Sequence, residues 1–209
     1  MEGIEIILKY FPGLSEKQVD QMGEFGKRLI EWNAKINLIS RQDTSHFYER
    51  HVLHSLAISK LVAFKGGTEI LDLGTGGGLP GIPLAIVFPE SHFHLVDSIG
   101  KKIAVVNDIV GSIGLANVQV EAKRAEDIKR KYDFILSRAV TRMNRFIPWV
   151  IDKINPKSKN EMYNGILALK GGNLNEELKE MKRPYQLIEI STLFEEEFFL
   201  TKKIVYVPL

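Results

Sequence analysis

The stretch Ile70-Leu71-Asp72-Leu73-Gly74-Thr75-Gly76-Gly77-Gly78-Leu79-Pro80-Gly81 constrains this chain more than any other. An apolar run of strand length meets a glycine-rich turn. Pro80 and Pro83 then suit the opening turn of a helix, where a missing amide hydrogen costs little. Glycine is needed where a chain turns sharply, or where backbone must touch a ligand with no side chain between them. A strand–loop–helix unit of this kind belongs to an open parallel sheet, whose ligands lie beyond the carboxyl ends of the strands. The next apolar run ends at Asp97, where a carboxylate would meet both hydroxyls of a ribose.

The rest of the chain agrees with that fold class. Short apolar runs at residues 69–73, 92–97, 118–122, 133–137, 165–169, 186–191 and 203–207 alternate with amphipathic segments, which predicts an α/β protein with helices on both faces of its sheet. The late runs are close together, as an antiparallel edge requires. Residues 100–113 form a helix that buries Ile103, Val106, Ile109, Val110 and Ile113 and stops at Gly114. Residues 1–65 read instead as a helical extension. Ser15 and Gln18 have capping-box spacing, and Val19, Met22, Phe25, Leu29 and Trp32 make one apolar stripe. A second helix is expected from Asp43-Thr44-Ser45 to about Phe64, before Lys65-Gly66-Gly67.

Composition removes several chemistries. With no cysteine, disulfides, thiolate metal sites and cysteine nucleophiles are excluded. No apolar run approaches the roughly 18 residues of a membrane span, and Glu2 and Glu5 stand where a signal peptide would be basic; a cytoplasmic, monomeric protein is expected. Net charge is only +2, but eleven Lys and Arg against four acids crowd residues 123–159. That asymmetry permits a face able to meet phosphates.

Gly76, Gly78 and Gly81, with Asp97 following, formally satisfy the dinucleotide fingerprint, so a nicotinamide-dependent oxidoreductase stays open at this point. Two features push against it: Asp72 sits two residues before the first glycine, where many S-adenosylmethionine-dependent methyltransferases carry an acid, and the loop begins at Gly74, so Gly76–Gly81 starts too late for a pyrophosphate grip.

The motifs LDLGTGGGLPGIPLAI, HLVDSIGKK, AKRAED, DFILSRAV and LALKGG, with WNAKINLIS and ERHVLHS before them, resemble in order and spacing the glucose-inhibited-division B family of bacterial 16S rRNA guanine-N7 methyltransferases. The resemblance spans nearly the whole chain. It implies a seven-stranded Rossmann-like S-adenosylmethionine methyltransferase sheet of order 3-2-1-4-5-7-6 at residues 66–209, after the helical N-terminal extension. It implies methyl transfer to N7 of the guanosine at position 527 of 16S rRNA, in the small ribosomal subunit or its precursor. Gly74 and Leu79 would contact the cofactor, Ala125 and Glu126 would border its adenine, and Arg138 would complete the site; Asp72, Gly76, Gly78 and Asp97 join them on the loop argument. His54 departs from the family's usual Asp, and the Lys- and Asn-rich connection at 155–164 is longer than in many members.

The chemistry is consistent with these residues. Methylating a pyrimidine C5 needs a thiolate, which is absent. Methylating exocyclic amines usually employs an Asn/Asp-Pro-Pro-aromatic turn after the fourth strand, where this chain reads Ser137-Arg138-Ala139. Guanine N7 has a free lone pair, so its attack needs alignment and no proton removal. No general base or metal site is expected, and Arg138 is the candidate positioning group. A non-catalytic RNA-binding protein on the same fold is the remaining alternative. Lys101, Arg124, Arg142 and Arg145 are candidate RNA contacts, and Arg50 and His51 join them mainly on the resemblance. His51 and His54, three apart, are expected on a helix surface, and Trp32 in the core; Trp149 remains a candidate for base stacking.

Overall fold

The computed structural model describes residues 3–209. Seven strands, β1 (Glu69–Leu73), β2 (His92–Asp97), β3 (Val118–Ala122), β4 (Phe134–Arg138), β5 (Gly165–Gly171), β6 (Gln186–Glu189) and β7 (Lys202–Pro208), form one sheet of order β3-β2-β1-β4-β5-β7-β6. The first five strands are parallel, and β7 runs antiparallel to both β5 and β6. Each expected run became a strand, the sixth shorter than its apolar pattern.

Side chains alternate along the strands and so build two cores. Ile70, Phe93, Leu95, Phe134, Leu136, Leu167 and Ile204 point to one face, whereas Leu71, Leu73, Val96, Ile135, Ile166 and Val205 point to the other. Helices α6 (Met143–Val150) and α7 (Asn175–Met181) cover the second face. The first face is covered by α4 (Gly81–Val87) and α5 (Gly100–Ser112), and beyond them by the extension.

The extension is not a separate globule. Helix α1 (Glu5–Tyr10) and helix α2 (Glu16–Asn33) contribute Ile7, Met22, Phe25 and Leu29 to the same cluster that holds the sheet's Phe93 and Phe134. The capping box opens α2 as expected, with Ser15 accepting from the Gln18 amide and the Gln18 side chain accepting from the Ser15 amide. Trp32 is only partly buried, because its indole nitrogen reaches outward to Asp108 on α5 at 2.9 Å. Helix α1 also binds the far end of the chain. Tyr10 packs edge-on to Phe194 at 4.7 Å, and Lys9 and Tyr10 meet the Glu196 carboxylate at 3.1 and 3.0 Å.

The expected second helix is instead a broken spiral: 3-10 over Arg41–His46, a wide π-turn over Tyr48–Leu53, a short α3 (His54–Leu56), then 3-10 over Ala57–Lys60. Serine hydroxyls compete for the helical carbonyls here, Ser55 donating to the His51 carbonyl at 2.6 Å and Ser59 to that of Leu56 at 2.7 Å. The extra residue in the π-turn rotates the face, so His51, Val52, Leu53 and His54 are all buried. The expectation of surface histidines is thereby corrected. His54 lies against Phe198 and Phe199, contributed by the C-terminal region.

Phe64 joins the two parts, with ring centroids 5.0 Å from Phe88, 5.2 Å from Phe134 and 6.3 Å from Phe93. Phe64→Ala should therefore cost about 3–5 kcal/mol of stability, seen as a lower urea midpoint with an unchanged slope. A loss below about 1 kcal/mol would mean that the extension docks through other side chains.

Candidate active site

A carboxylate organises the site. Asp72, at the penultimate position of β1, is fully buried, and its Oδ2 accepts from the Thr75 hydroxyl at 2.6 Å and the Gly81 amide at 2.9 Å. The two ends of the glycine loop are thereby pulled onto one oxygen. A Cβ at Gly81 would lie 2.8 Å from that oxygen, and one at Gly74, where φ is +77°, would lie 2.5 Å from Val140. Those close approaches are why glycine stands at both positions.

The loop opens into a cleft of about 560 Å³ beyond the carboxyl ends of β1, β2 and β4. Of the candidate cofactor residues, Gly74, Gly76, Leu79, Asp97, Ala125, Glu126 and Arg138 line it. Asp72 and Gly78 are outside the lining. Asp72 acts from beneath the loop, and Gly78 packs on Ile82 within it. Asp97 accepts from the Gly76 amide at 3.0 Å and the Ile99 amide at 2.9 Å, which fixes its carboxylate at the cleft wall.

Other lining residues went unforeseen: Leu38, Gly77, Ser98, Ile99, Ala139 and Val140. Leu38 comes from the extension, in a turn that Asn33 closes by accepting from the Leu38 and Ile39 amides at 2.8 and 3.0 Å. The signal was present in the WNAKINLIS motif, since a helix-ending Asn followed by apolar residues is a turn signature. Ala139 has φ +55°, a conformation costing a non-glycine residue about 1 kcal/mol or more. The bend turns the chain after Arg138 so that Val140 drops onto Gly74.

Arg138 ends β4 pointing inward. Its Nη2 lies 2.8 Å from His51 Nδ1, while its Nη1 is buried with no protein partner. Burial pushes its pKa down to about 10, against the opposing pull of Asp72 and Asp43, so it stays charged at neutral pH. Burial likewise pushes the Asp72 carboxyl up to about 6, with the hydrogen bonds from Thr75 and Gly81 holding it lower than burial alone would.

The candidate RNA contacts separate. Arg124 lines the cleft mouth beside Lys102, Lys123 and Trp149, and Lys101 is exposed on the first turn of α5. Arg142 and Arg145 lie at the start of α6, outside the cleft lining, and Arg142 is 3.2 Å from Glu180. Arg50 is tied to Asp43 at 2.6 Å and lies over the Phe198 ring. His51 is turned inward, away from any RNA-facing surface.

The first turn of α4 argues against a dinucleotide. Its N-terminus offers no free amide for a pyrophosphate, since Pro80 and Pro83 have none, Gly81 donates to Asp72 and Ile82 donates to the Gly78 carbonyl at 2.7 Å. The residues do fit a nucleoside cofactor with an amino-acid tail. Asp97 offers acceptors to a ribose, Leu79, Ile99 and Ala125 offer apolar surface to a base, and the unpartnered Arg138 nitrogen calls for an acceptor such as a carboxylate. Fold and site together define an S-adenosylmethionine-dependent methyltransferase.

Solved structures share the fold. An S-adenosylmethionine-dependent methyltransferase from Aquifex aeolicus superposes with TM-score 0.57 at 16% identity, over 80% of this chain and 94% of that one. A mutant of MtNAS in complex with S-adenosylmethionine gives 0.59 at 13% identity, over 98% and 77%. The family model described as rRNA small subunit methyltransferase G, GidB, matches residues 18–204, and the chain belongs to this family. Relatives named ribosomal RNA small subunit methyltransferase G include one from Cytophaga hutchinsonii, 54% identical over 98% of this chain and 99% of its own length. Another, from Flavobacterium johnsoniae, is 52% identical over 97% of each.

The Asp72 carboxyl yields a pH prediction. Its folded-state pKa of about 6 exceeds its ordinary 3.8, so the folded chain binds this proton more tightly than the unfolded chain. That contribution favours folding at low pH and is lost as pH rises from about 4 through about 6. Asp72→Asn should abolish this fall, so urea midpoints of the variant should gain on the parent across that window. Parallel profiles would show that Asp72 titrates normally.

Proposed function

We propose that the protein transfers the methyl group of S-adenosylmethionine to N7 of a guanosine in 16S rRNA of the small ribosomal subunit. The observation carrying the choice of atom is the β4 terminus. A half-buried arginine stands there, in Ser137-Arg138-Ala139, in place of a turn that would grip an exocyclic amine. Among the described residues no histidine lines the cleft, and both oxygens of Asp97 are engaged by backbone amides. An acceptor that must first lose a proton would be poorly served. Guanine N7 needs only to be aligned, because its lone pair is already free.

Bound cofactor supplies an electrophilic methyl group on a sulfonium. Asp97 would hold the ribose, while Leu79, Ile99 and Ala125 would flank the adenine, with Glu126 at its border. Arg138 would meet the amino-acid end, and its charge so engaged leaves N7 unblocked. The rim lysines and arginines, Lys101, Lys102 and Arg124, would receive RNA phosphates next to the cleft, with Arg145 extending that surface. Arg142 shares its charge with Glu180 and would contribute less. The target base must be unpaired or splayed, since N7 of a paired guanine lies in the deep groove of A-form RNA. We take the protein to act as a cytoplasmic monomer, which size-exclusion chromatography with light scattering would check.

The direct test is to incubate the protein with small subunits lacking the modification and map the methylated nucleotide. Methyl transfer to any other atom overturns the proposal. Two variants resolve the parts. Asp97→Ala should weaken S-adenosylmethionine by about 1–3 kcal/mol in calorimetry; unchanged affinity would remove Asp97 from the ribose. Lys101→Ala with Arg124→Ala should leave cofactor affinity alone and lower the logarithmic salt dependence of RNA binding by about 0.7–0.9 for each phosphate no longer neutralised. An unaltered slope would place the RNA on another face.

A further inference from the structure

The N-terminal extension touches the catalytic machinery at one polar point, and that point is sealed. His51 is 7% exposed, lies in the π-turn, and presents Nδ1 to Arg138 Nη2 at 2.8 Å. A guanidinium only donates, so Nδ1 must be the unprotonated nitrogen and the ring proton sits on Nε2. His51 is thus a neutral acceptor for a half-buried cation, and burial together with the nearby Arg138 charge holds its pKa down to about 3. Nη2 is held on the extension side, and Nη1 is left unpartnered in the same buried region. One donor is anchored and the other is unspent.

We propose that His51 is a positioning residue for methyl transfer: it orients Arg138 so that the free guanidinium nitrogen meets the cofactor, and the helical extension thereby completes a site otherwise built on the sheet. This rests on the reading of Arg138 as a cofactor contact. A long side chain without a second anchor would lose rotamer freedom on binding, and that entropy opposes affinity. Holding it in advance removes the cost. The π-turn has a reason in this scheme, since the residue it inserts turns His51 toward β4.

The test compares substitutions that separate the acceptor from the volume. In His51→Asn the amide oxygen is attached to Cγ, as Nδ1 is, so the acceptor stays in place although the side chain shrinks. In His51→Gln the size is closer but the acceptor moves out toward the Nε2 position. Calorimetry with S-adenosylmethionine should show Kd within about threefold of the parent for Asn, but raised about tenfold for Gln and for His51→Leu, the size of one charged hydrogen bond. Arg138→Leu should raise Kd as well, and adding His51→Leu to it should do nothing further, because the two act as one unit. A packing role predicts the reverse order, with Asn, the smallest, affected most. If His51→Leu fails to fold, the Asn and Gln pair still decides. Equal effects of Asn and Gln, or full additivity with Arg138→Leu, overturn the proposal. Unchanged affinity in Arg138→Leu alone overturns instead the cofactor reading on which it rests.

Discussion

One oxygen atom determines the shape of the glycine loop. Oδ2 of Asp72 takes hydrogen bonds from the Thr75 hydroxyl and the Gly81 amide, three and nine residues further along the chain. Of the residues between those two donors, Gly76, Gly77 and Leu79 reach the cleft wall, and α4 starts where the second bond ends. Burying a carboxylate is costly, and its raised pKa records that cost. The gain is a loop tied to β2 through the Gly74 and Thr75 amides, which donate to the Val96 carbonyl, and to itself through the Gly78 and Leu79 amides, which donate to that of Thr75. Asp97 repeats the device from the neighbouring strand, gripping the Gly76 amide while keeping its carboxylate at the cleft.

The second face of the cleft depends on close backbone approaches. Val140 can lie on Gly74 only because Gly74 has no side chain and Ala139 accepts a left-handed conformation. Leu38 and Leu29 approach Gly77 from the extension in the same manner, with a Cβ there falling 3.1 Å from Leu29. The glycine run therefore serves three neighbours: the turn after β4, α4 and the extension. Strain at Ala139 persists because these packed surfaces over-determine it.

Much of this was legible in the sequence, for reasons that differ by element. The strands show because buried parallel strands need continuous apolar runs, and α2 shows because its capping box and stripe are local. The sheet order was available only through resemblance, since local patterns carry no record of which strands become neighbours. The segment from Arg41 to Lys60 misled, because its histidines and serines look like an exposed helix at helical period. What buries His54 is the distant pair Phe198 and Phe199, whereas the π-turn carries His51 inward against Phe47 and Arg138. The nine expected cofactor residues divided similarly. Seven line the cleft, whereas Asp72 and Gly78 build the loop from below, a distinction that spacing along a chain cannot make.

The packing of Tyr10 on Phe194 and Glu196 carries a consequence for the chain's birth. Tyr10 and Glu196, 186 positions apart, must meet before helix α1 has a partner for its aromatic face. During synthesis the extension leaves the ribosome early, able to pair Phe25 with Phe47 but with no sheet yet available to complete the cover of Ile7, Phe25 and Leu29. Pairings of such long range are slow to form, and uncovered apolar surface invites association meanwhile. The acids at Glu195 and Glu196, waiting for Lys9, can steer the two ends together but cannot act until they exist. The first helix is thus completed only by the last part of the chain to be made.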